Sequence, residues 1–203
     1  MKLIFATHNS GKIKEMCSLL ADLKIDVCSA DEAGVTEDVV EDGKTFEENA
    51  LKKARFVASS SGEWAVADDS GICIDALDGA PGVNTARWAG PDAGDEGLVR
   101  HTLEVLKDVP EGQRDATFMS CIALVAPDGR EWTFEGHVNG SVAREARGTN
   151  RPKLPYDVLF IPEGHDRTFA QMSDEEKNSM SHRGRAFEQL KIFLREQLST
   201  ETR

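Results

Sequence analysis

Three short stretches carry residue types suited to phosphate chemistry. In the first, Thr7-His8-Asn9-Ser10-Gly11-Lys12 interrupts an apolar run from Leu3 to Ala6, and a helical pattern begins at once. A hydroxyl, an amide, a glycine and an ammonium in a strand-to-helix turn make an anion site. The N–H groups at a helix start are unpaired, and the helix dipole is positive there. The turn is not a P-loop: no glycine stands five residues before Gly11, and Lys12 is followed by Ile13 rather than Ser or Thr. In the second, Asp68-Asp69-Ser70-Gly71 closes an apolar run. Two adjacent carboxylates in that setting need solvent, partners or a cation. Strand neighbours point to opposite faces, so both reach one ion only if a turn at Ser70-Gly71 reorients one of them. Such oxygen donors suit Mg²⁺; an Asp-rich turn held by side-chain-to-backbone bonds accounts for the same residues. In the third, Lys177, His182, Arg183 and Arg185 surround the start of the last helix, with Ser181 as its N-cap. Arginine's planar fork and a histidine donor fit phosphate oxygens or base edges.

The elements that would hold these residues alternate between strand and helix, which predicts an α/β architecture. After the first strand, Ile13, Met16, Cys17 and Leu20 have the spacing of an amphipathic helix. A short strand follows near Ile25 to Cys28, then an acidic loop as far as Thr45. Thr45 and Glu48 form a capping box for a helix with Phe46, Ala50, Ala54, Val57 and Ala58 on its apolar face. Asn49 and Lys53 lie one turn apart on that helix. Taken alone, Glu41 reads as an exposed acid, Glu48 as a cap and Lys53 as a solvated lysine. Trp64 to Ala67 is a buried strand. Gly97 to Leu106 is a helix with Leu98, His101, Thr102 and Val105 on one face. Ala116–Ala126 and Glu131–Val138 form a hairpin around Pro127-Asp128-Gly129. Further strands are expected near Ser141–Glu145 and Val158–Ile161. A final helix runs from His182 to Leu198, with Phe187, Leu190, Phe193 and Leu194 on its apolar face.

The 203 residues read as a single domain, long enough to bury a core without staples. No apolar run is long enough to span a membrane and no secretory signal is visible, so a cytoplasmic protein is expected. Cys17, Cys28, Cys73 and Cys121 form no C-x-x-C pair and read as buried free thiols. The net charge of −12 argues against nucleic-acid binding. The charge is uneven, however. Asp31 to Glu48 holds eight acids against one lysine, and Lys177 to Arg195 five cations against one acid. Both runs suit solvated surface, and both signs facing one cleft would suit a metal and a phosphate. With no H-E-x-x-H and no G-x-S-x-G, zinc-protease and α/β-hydrolase readings lose their support.

Taken together, ATHNSGKIKE, EDGKTFEENALKKA, AVADDSGICIDALDGAPGVNTARWAG and FAQMSDEEKNSMSHRGRAF resemble, in order and spacing, the motifs of the inosine/xanthosine triphosphate pyrophosphatases. The likeness runs from Lys2 to about Leu194. It implies an elongated mixed sheet with flanking helices, in two lobes around a central substrate cleft, and a homodimer. It implies Mg²⁺-dependent hydrolysis of ITP, dITP or XTP to the monophosphate and pyrophosphate. By the same resemblance, Thr7, Asn9 and Lys12, with His8, Ser10 and Gly11 between them, match a phosphate cradle. Glu41, Asp68 and Asp69 match metal-binding acids, and Asp69 matches the general base. Ser70, Lys53 and Lys177 match substrate contacts, and His182-Arg183 the pair that reads the purine. Arg87 sits in a matching T-A-R segment.

One loop departs from the family's pattern. The usual Phe-Gly before the aromatic-Asp pair is replaced by Leu154-Pro155, ahead of Tyr156-Asp157, and Val158 stands where a proline is usual. Leu154 gives apolar contact without π-stacking, and Pro155 has no N–H to offer. Two outcomes stay open: the loop has drifted harmlessly, with Tyr156 or Trp88 supplying a ring, or base selectivity has changed. The first leaves the family's activity intact. The second allows the same chemistry on another triphosphate, and a non-catalytic nucleotide-binding module is a further alternative.

Overall fold

A computed structural model describes residues 1–7, 10–23 and 25–201. Its strands are β1 (Lys2–Phe5), β2 (Asp26–Ser29), β3 (Trp64–Ile74), β4 (Asp115–Val125), β5 (Glu131–Val142) and β6 (Phe160–Pro162). Its helices are α1 (Ser10–Leu20), α2 (Phe46–Ser61), α3 (Gly94–Val105), α4 (Asp174–Met180) and α5 (His182–Glu201). The strands form one mixed sheet in the order β2-β1-β3-β4-β5-β6. β1 is parallel to β2 and β3, and every later pairing is antiparallel. The expected α/β class and mixed sheet with flanking helices are therefore present. Among the described residues, no helix is long and apolar enough to cross a membrane.

The central strands are buried on both faces, and their alternation sorts the side chains into two cores. Ala65, Ala67, Cys121 and Ala123 face α2, which meets them with Ala50, Ala54, Val57 and Ala58. Small residues on both sides let the helix lie close to the sheet. Val66, Ile122 and Leu124 face the other way, against Met16 and Leu20 of α1 and Phe187, Leu190 and Leu194 of α5. A third cluster, built on Phe118, Tyr156, Phe160 and Phe169, fills the β6 end of the sheet. The same alternation fixes the site: Asp69 points to the α2 face and Asp68 to the α1/α5 face.

Local chemistry sets the boundaries of α2. Thr45 Oγ1 accepts the Glu48 N–H at 3.1 Å, and Gly62, at φ 71°, ends the helix with its N–H on the Ala58 carbonyl. The Glu48 carboxylate reaches back to the Lys44 N–H at 2.6 Å. At the start of α5, Ser181 Oγ accepts the Gly184 N–H at 3.0 Å, the expected N-cap.

Several expectations are corrected. β3 does not turn at Ser70-Gly71; it stays paired with β4 from Ala65 to Ile74. Gly71 makes this possible, because a Cβ there would overlap Thr85 Oγ1 and the Gly82 carbonyl, which pack directly over the strand. No separate strand forms at 141–145; β5 continues to Val142, which pairs with Phe160. Residues 174–180 make a helix of their own, α4. At the end of α3, Val105 is exposed and Leu106, just past the helix, takes the buried position. Only Cys121 is a buried thiol, whereas Cys17 is exposed and Cys28 and Cys73 are half-buried.

Candidate active site

A cleft of about 520 Å³ crosses the middle of the sheet. Its lining includes Thr7, Lys12, Glu41, Lys53, Asp69 and Ser70, and also Lys153, Leu154, Pro155, Tyr156, Asp157, Lys177, His182 and Arg183. Residues far apart in sequence, from β1 to the first turn of α5, therefore meet in one cavity. His8 and Asn9 lie outside the described residues, as does the side chain of Ser10; Ser10 and Gly11 open α1.

Asp68 is fully buried and enclosed by cations. Its Oδ2 lies 2.7 Å from Lys12 Nζ and 3.3 Å from Arg183 Nε, and Ser120 Oγ donates to its Oδ1 at 2.5 Å. Burial pushes this carboxyl upward. The charges of Lys12 and Arg183 and the bonds from Lys12 and Ser120 outweigh it, holding Asp68 well below the usual carboxylate range. Burial also pushes the Lys12 ammonium down, with Asp68 opposing and Lys53 and Arg183 adding to the fall.

Asp69, one residue on, lives in a different setting. Asn49 Nδ2 donates to its Oδ2 at 3.1 Å, and the Ser70 N–H donates to its Oδ1 at 3.1 Å. Lys53 Nζ stands 3.7 Å from that Oδ1 and 3.0 Å from Glu41 Oε2. Glu41 and Asp69 thus converge on one ammonium. Burial, which Lys53 and Lys12 oppose and Glu41 reinforces, raises the Asp69 carboxyl above its ordinary range. Lys53 also donates to the Asp68 carbonyl at 3.0 Å, and Lys12 does so at 3.3 Å. Arg87 Nη2 donates to the Glu41 carbonyl at 3.3 Å, steadying the same loop.

The three acids expected to hold a metal do not come together, and no such trio forms among the described residues. With β3 extended, the Asp68 carboxylate is committed on the opposite face to Lys12 and Arg183. Of the three, Glu41 and Asp69 line the cleft, and the Asp68 carbonyl accepts from the same Lys53 that they share. All are hard oxygen donors, and a divalent cation of the Mg²⁺ type with retained waters fits that set. Asp68 instead orders the cations.

At the other end, Phe118, Leu154, Pro155 and Tyr156 supply aromatic and apolar wall beside the charged Asp157, Lys177 and Arg183. His182 stacks on Phe118, centroids 4.6 Å apart and planes 8° from parallel. Tyr156 is buried, set edge-on to Phe118, with its hydroxyl donating to the Thr85 carbonyl at 2.9 Å. Trp88 packs on His101 of α3 and does not line the cleft. Of the two rings, Tyr156 lines the cleft. Pro155 opens the short 3₁₀ turn Pro155–Val158 at a position where its missing N–H is no loss, and Leu154 stays half-exposed at the cleft.

Asp157 and Lys177 form a buried ion pair at 2.7 Å. Lys177 is 2% exposed, so its ammonium reaches a ligand only from within this pair. Arg151 braces the pair: it lies 3.2 Å from Asp157 and donates to the Phe169 and Met172 carbonyls. The Lys153 N–H donates to Asp95 Oδ2 at 2.7 Å, joining the loop to α3.

Sequence reasoning missed Asn49 and Ser120 as parts of the site and left the role of Arg151 open. Asn49 carried a visible signal, one turn before Lys53. Ser120 carried none, because its role depends on β4 pairing beside β3.

The sequence model of the Ham1 family matches residues 3–193. Over 199 residues the chain is 46% identical to the dITP/XTP pyrophosphatase of Streptomyces avermitilis, covering 97% of this chain and 98% of the relative. It is 42% identical over 191 residues to the dITP/XTP pyrophosphatase of Bacillus subtilis, covering 94% and 96%. A solved HAM1 protein from Coxiella burnetii superposes with a TM-score of 0.87 at 41% identity, covering 97% of this chain and 99% of that one. A solved nucleoside-triphosphatase, dITP/XTP pyrophosphatase, from Mycobacterium abscessus gives 0.76 at 41% identity, covering 94% and 98%.

Proposed function

The chain belongs to the Ham1 family, and from that premise we propose that it hydrolyses non-standard purine nucleoside triphosphates, ITP, dITP and XTP, to the monophosphate and pyrophosphate. The observation that carries the reading is one cavity with two ends. One end holds Glu41 and Asp69 around Lys53, with Lys12 beside them, and the other has apolar and aromatic walls. A triphosphate carries about four negative charges and a purine is flat and apolar, so a cleft of this composition fits both parts.

Glu41 and Asp69 would hold the Mg²⁺, with the Asp68 carbonyl beside them. Bound there, the cation neutralises phosphate charge and polarises the reacting oxygens. Asp69 is the general base. Its Oδ1 faces Lys53 and would take the proton of the water that attacks the α-phosphorus, as the P–O bond to the leaving pyrophosphate breaks. Lys12 and Lys53, with Thr7 and the turn residues His8, Asn9, Ser10 and Gly11, bind and orient the phosphates. Ser70 lies at the same place, hydrogen-bonded to Arg183 at 2.9 Å. His182 and Arg183, with Leu154, Pro155 and Tyr156, form the purine end. Asp157 and Lys177 hold its wall, and Lys177 offers its charge from within their pair. The protein works as a homodimer of single-domain chains in the cytoplasm.

The test is pyrophosphate release, with and without Mg²⁺, from ITP, XTP, dITP, ATP, GTP and dUTP. Rapid Mg²⁺-dependent release from ITP, dITP and XTP, with ATP and GTP spared, is expected. Release from another nucleotide alone would make Leu154-Pro155 a change of specificity. Binding without release from any of them would sink the enzymatic reading.

A further inference from the structure

Asn49 is fully buried in the first half of α2 and is spent on two elements at once. Its Oδ1 accepts the Gly43 N–H at 2.8 Å, and its Nδ2 donates to Asp69 Oδ2 at 3.1 Å. Only one amide orientation meets both partners, because an N–H needs an acceptor and a carboxylate needs a donor. Gly43 stands two residues after Glu41 in the acidic loop. A Cβ at Gly43 would lie 2.6 Å from Asn49 Oδ1 and 2.9 Å from Glu48 Cβ, so the approach requires glycine.

We propose that Asn49 is a positioning residue of this site: its amide ties the Glu41 loop to Asp69 and reserves one Asp69 oxygen for chemistry. The proposal rests on the functional reading above. With Oδ2 taken by Asn49, Oδ1 is the oxygen that accepts the Ser70 N–H and faces Lys53, the ammonium that Glu41 also holds. One buried side chain therefore sets both the direction of the base and its distance from the second carboxylate. Outer partners of this kind typically change activity or metal affinity by about 10–100-fold when removed.

The test compares Asn49→Leu, Asn49→Asp and Gly43→Ala with the unaltered protein. Leucine keeps the size without either bond, aspartate keeps the acceptor for Gly43 and loses the donor, and alanine at 43 pushes on the amide from outside. Measured are kcat and KM for ITP, the dissociation constant of ITP without metal, and hydrogen exchange at the Gly43 amide. Expected is a kcat lower by about 10–100-fold in all three variants, with metal-free ITP binding unchanged. Gly43 protection should be lost in Asn49→Leu and kept in Asn49→Asp. Should Asn49→Leu fail to fold, Gly43→Ala carries the test, since Gly43 is only half-buried and its backbone lies outside the left-handed region. Unaltered kcat in the folded variants, or a loss matched by equally weaker ITP binding, overturns the proposal. No pyrophosphate release by the unaltered protein would overturn the functional reading first, before any variant is made.

Discussion

Asp68 and Asp69 are neighbours with opposite fates, and the difference is the two faces of one strand. Asp69 looks into the cleft, raised by burial. Asp69→Asn should fold and bind nucleotide yet lose about 10²–10⁴ in turnover, the usual span for a removed base, as steady-state pyrophosphate release will report. Its raised position also sets a sign for pH. Protons compete with a divalent cation for this carboxylate, so Mg²⁺ affinity should fall on the acid side, at a higher pH than an ordinary carboxylate would give, as a binding titration with Mg²⁺ alone will report. Asp68 looks at Lys12 and Arg183 and is depressed. A carboxyl lowered on folding contributes stability that is complete above its unfolded value of about 3.9 and is lost as pH falls toward the folded one. Asp68→Asn takes the carboxylate charge away from Lys12 and the buried Arg183 and should cost about 3 kcal/mol near pH 7, measured by urea unfolding. The deficit relative to the unaltered protein should narrow below about pH 4. Both aspartates were visible in the sequence as chemistry-bearing residues. Their division of labour was not, because a turn at Ser70-Gly71 and a continuous strand are equally compatible with the letters.

The elements that carry these residues depend on local chemistry at their ends. α2 brings Asn49 and Lys53 to the cleft because Thr45 caps it and alanines seat it against β3. Thr45→Ala should lower stability by about 1 kcal/mol, read as a fall in the unfolding midpoint, with activity largely kept in the molecules that remain folded. β3 stays straight because Gly71 admits Thr85, whose Oγ1 accepts the Ile72 N–H at 3.0 Å and donates to the Gly82 carbonyl. Gly71→Ala forces that contact apart and should destabilise by about 1–3 kcal/mol on thermal unfolding. The capping box, the hairpin turn and the apolar periodicities were legible, since they are short-range signals. The fate of residues 141–145 and the independence of α4 were not, because each depends on what the segment meets across the sheet.

For the whole molecule, the chain's −12 net charge looks unsuited to a triphosphate until the fold gathers Lys12 and Lys53 at one end of the cleft. Removing divalent cations with a chelator should abolish pyrophosphate release, and added Mg²⁺ should restore it. Light scattering should return twice the chain mass of 22.2 kDa for the proposed homodimer. The sequence by itself determined the α/β class and the family, and it singled out Lys12, Glu41, Lys53, Asp69 and Arg183 among the residues that line the cleft. Hydrophobic period, caps and turn residues are written locally, and four motifs in register identify the family. Only the tertiary structure decided which side of β3 each aspartate serves, that Lys177 and Asp157 are buried against one another, and that Asn49 and Ser120 hold the two carboxylates. Those outcomes depend on which elements pack against each face of the sheet, and residues 20 to 115 positions apart in the chain have no local pattern to record that meeting.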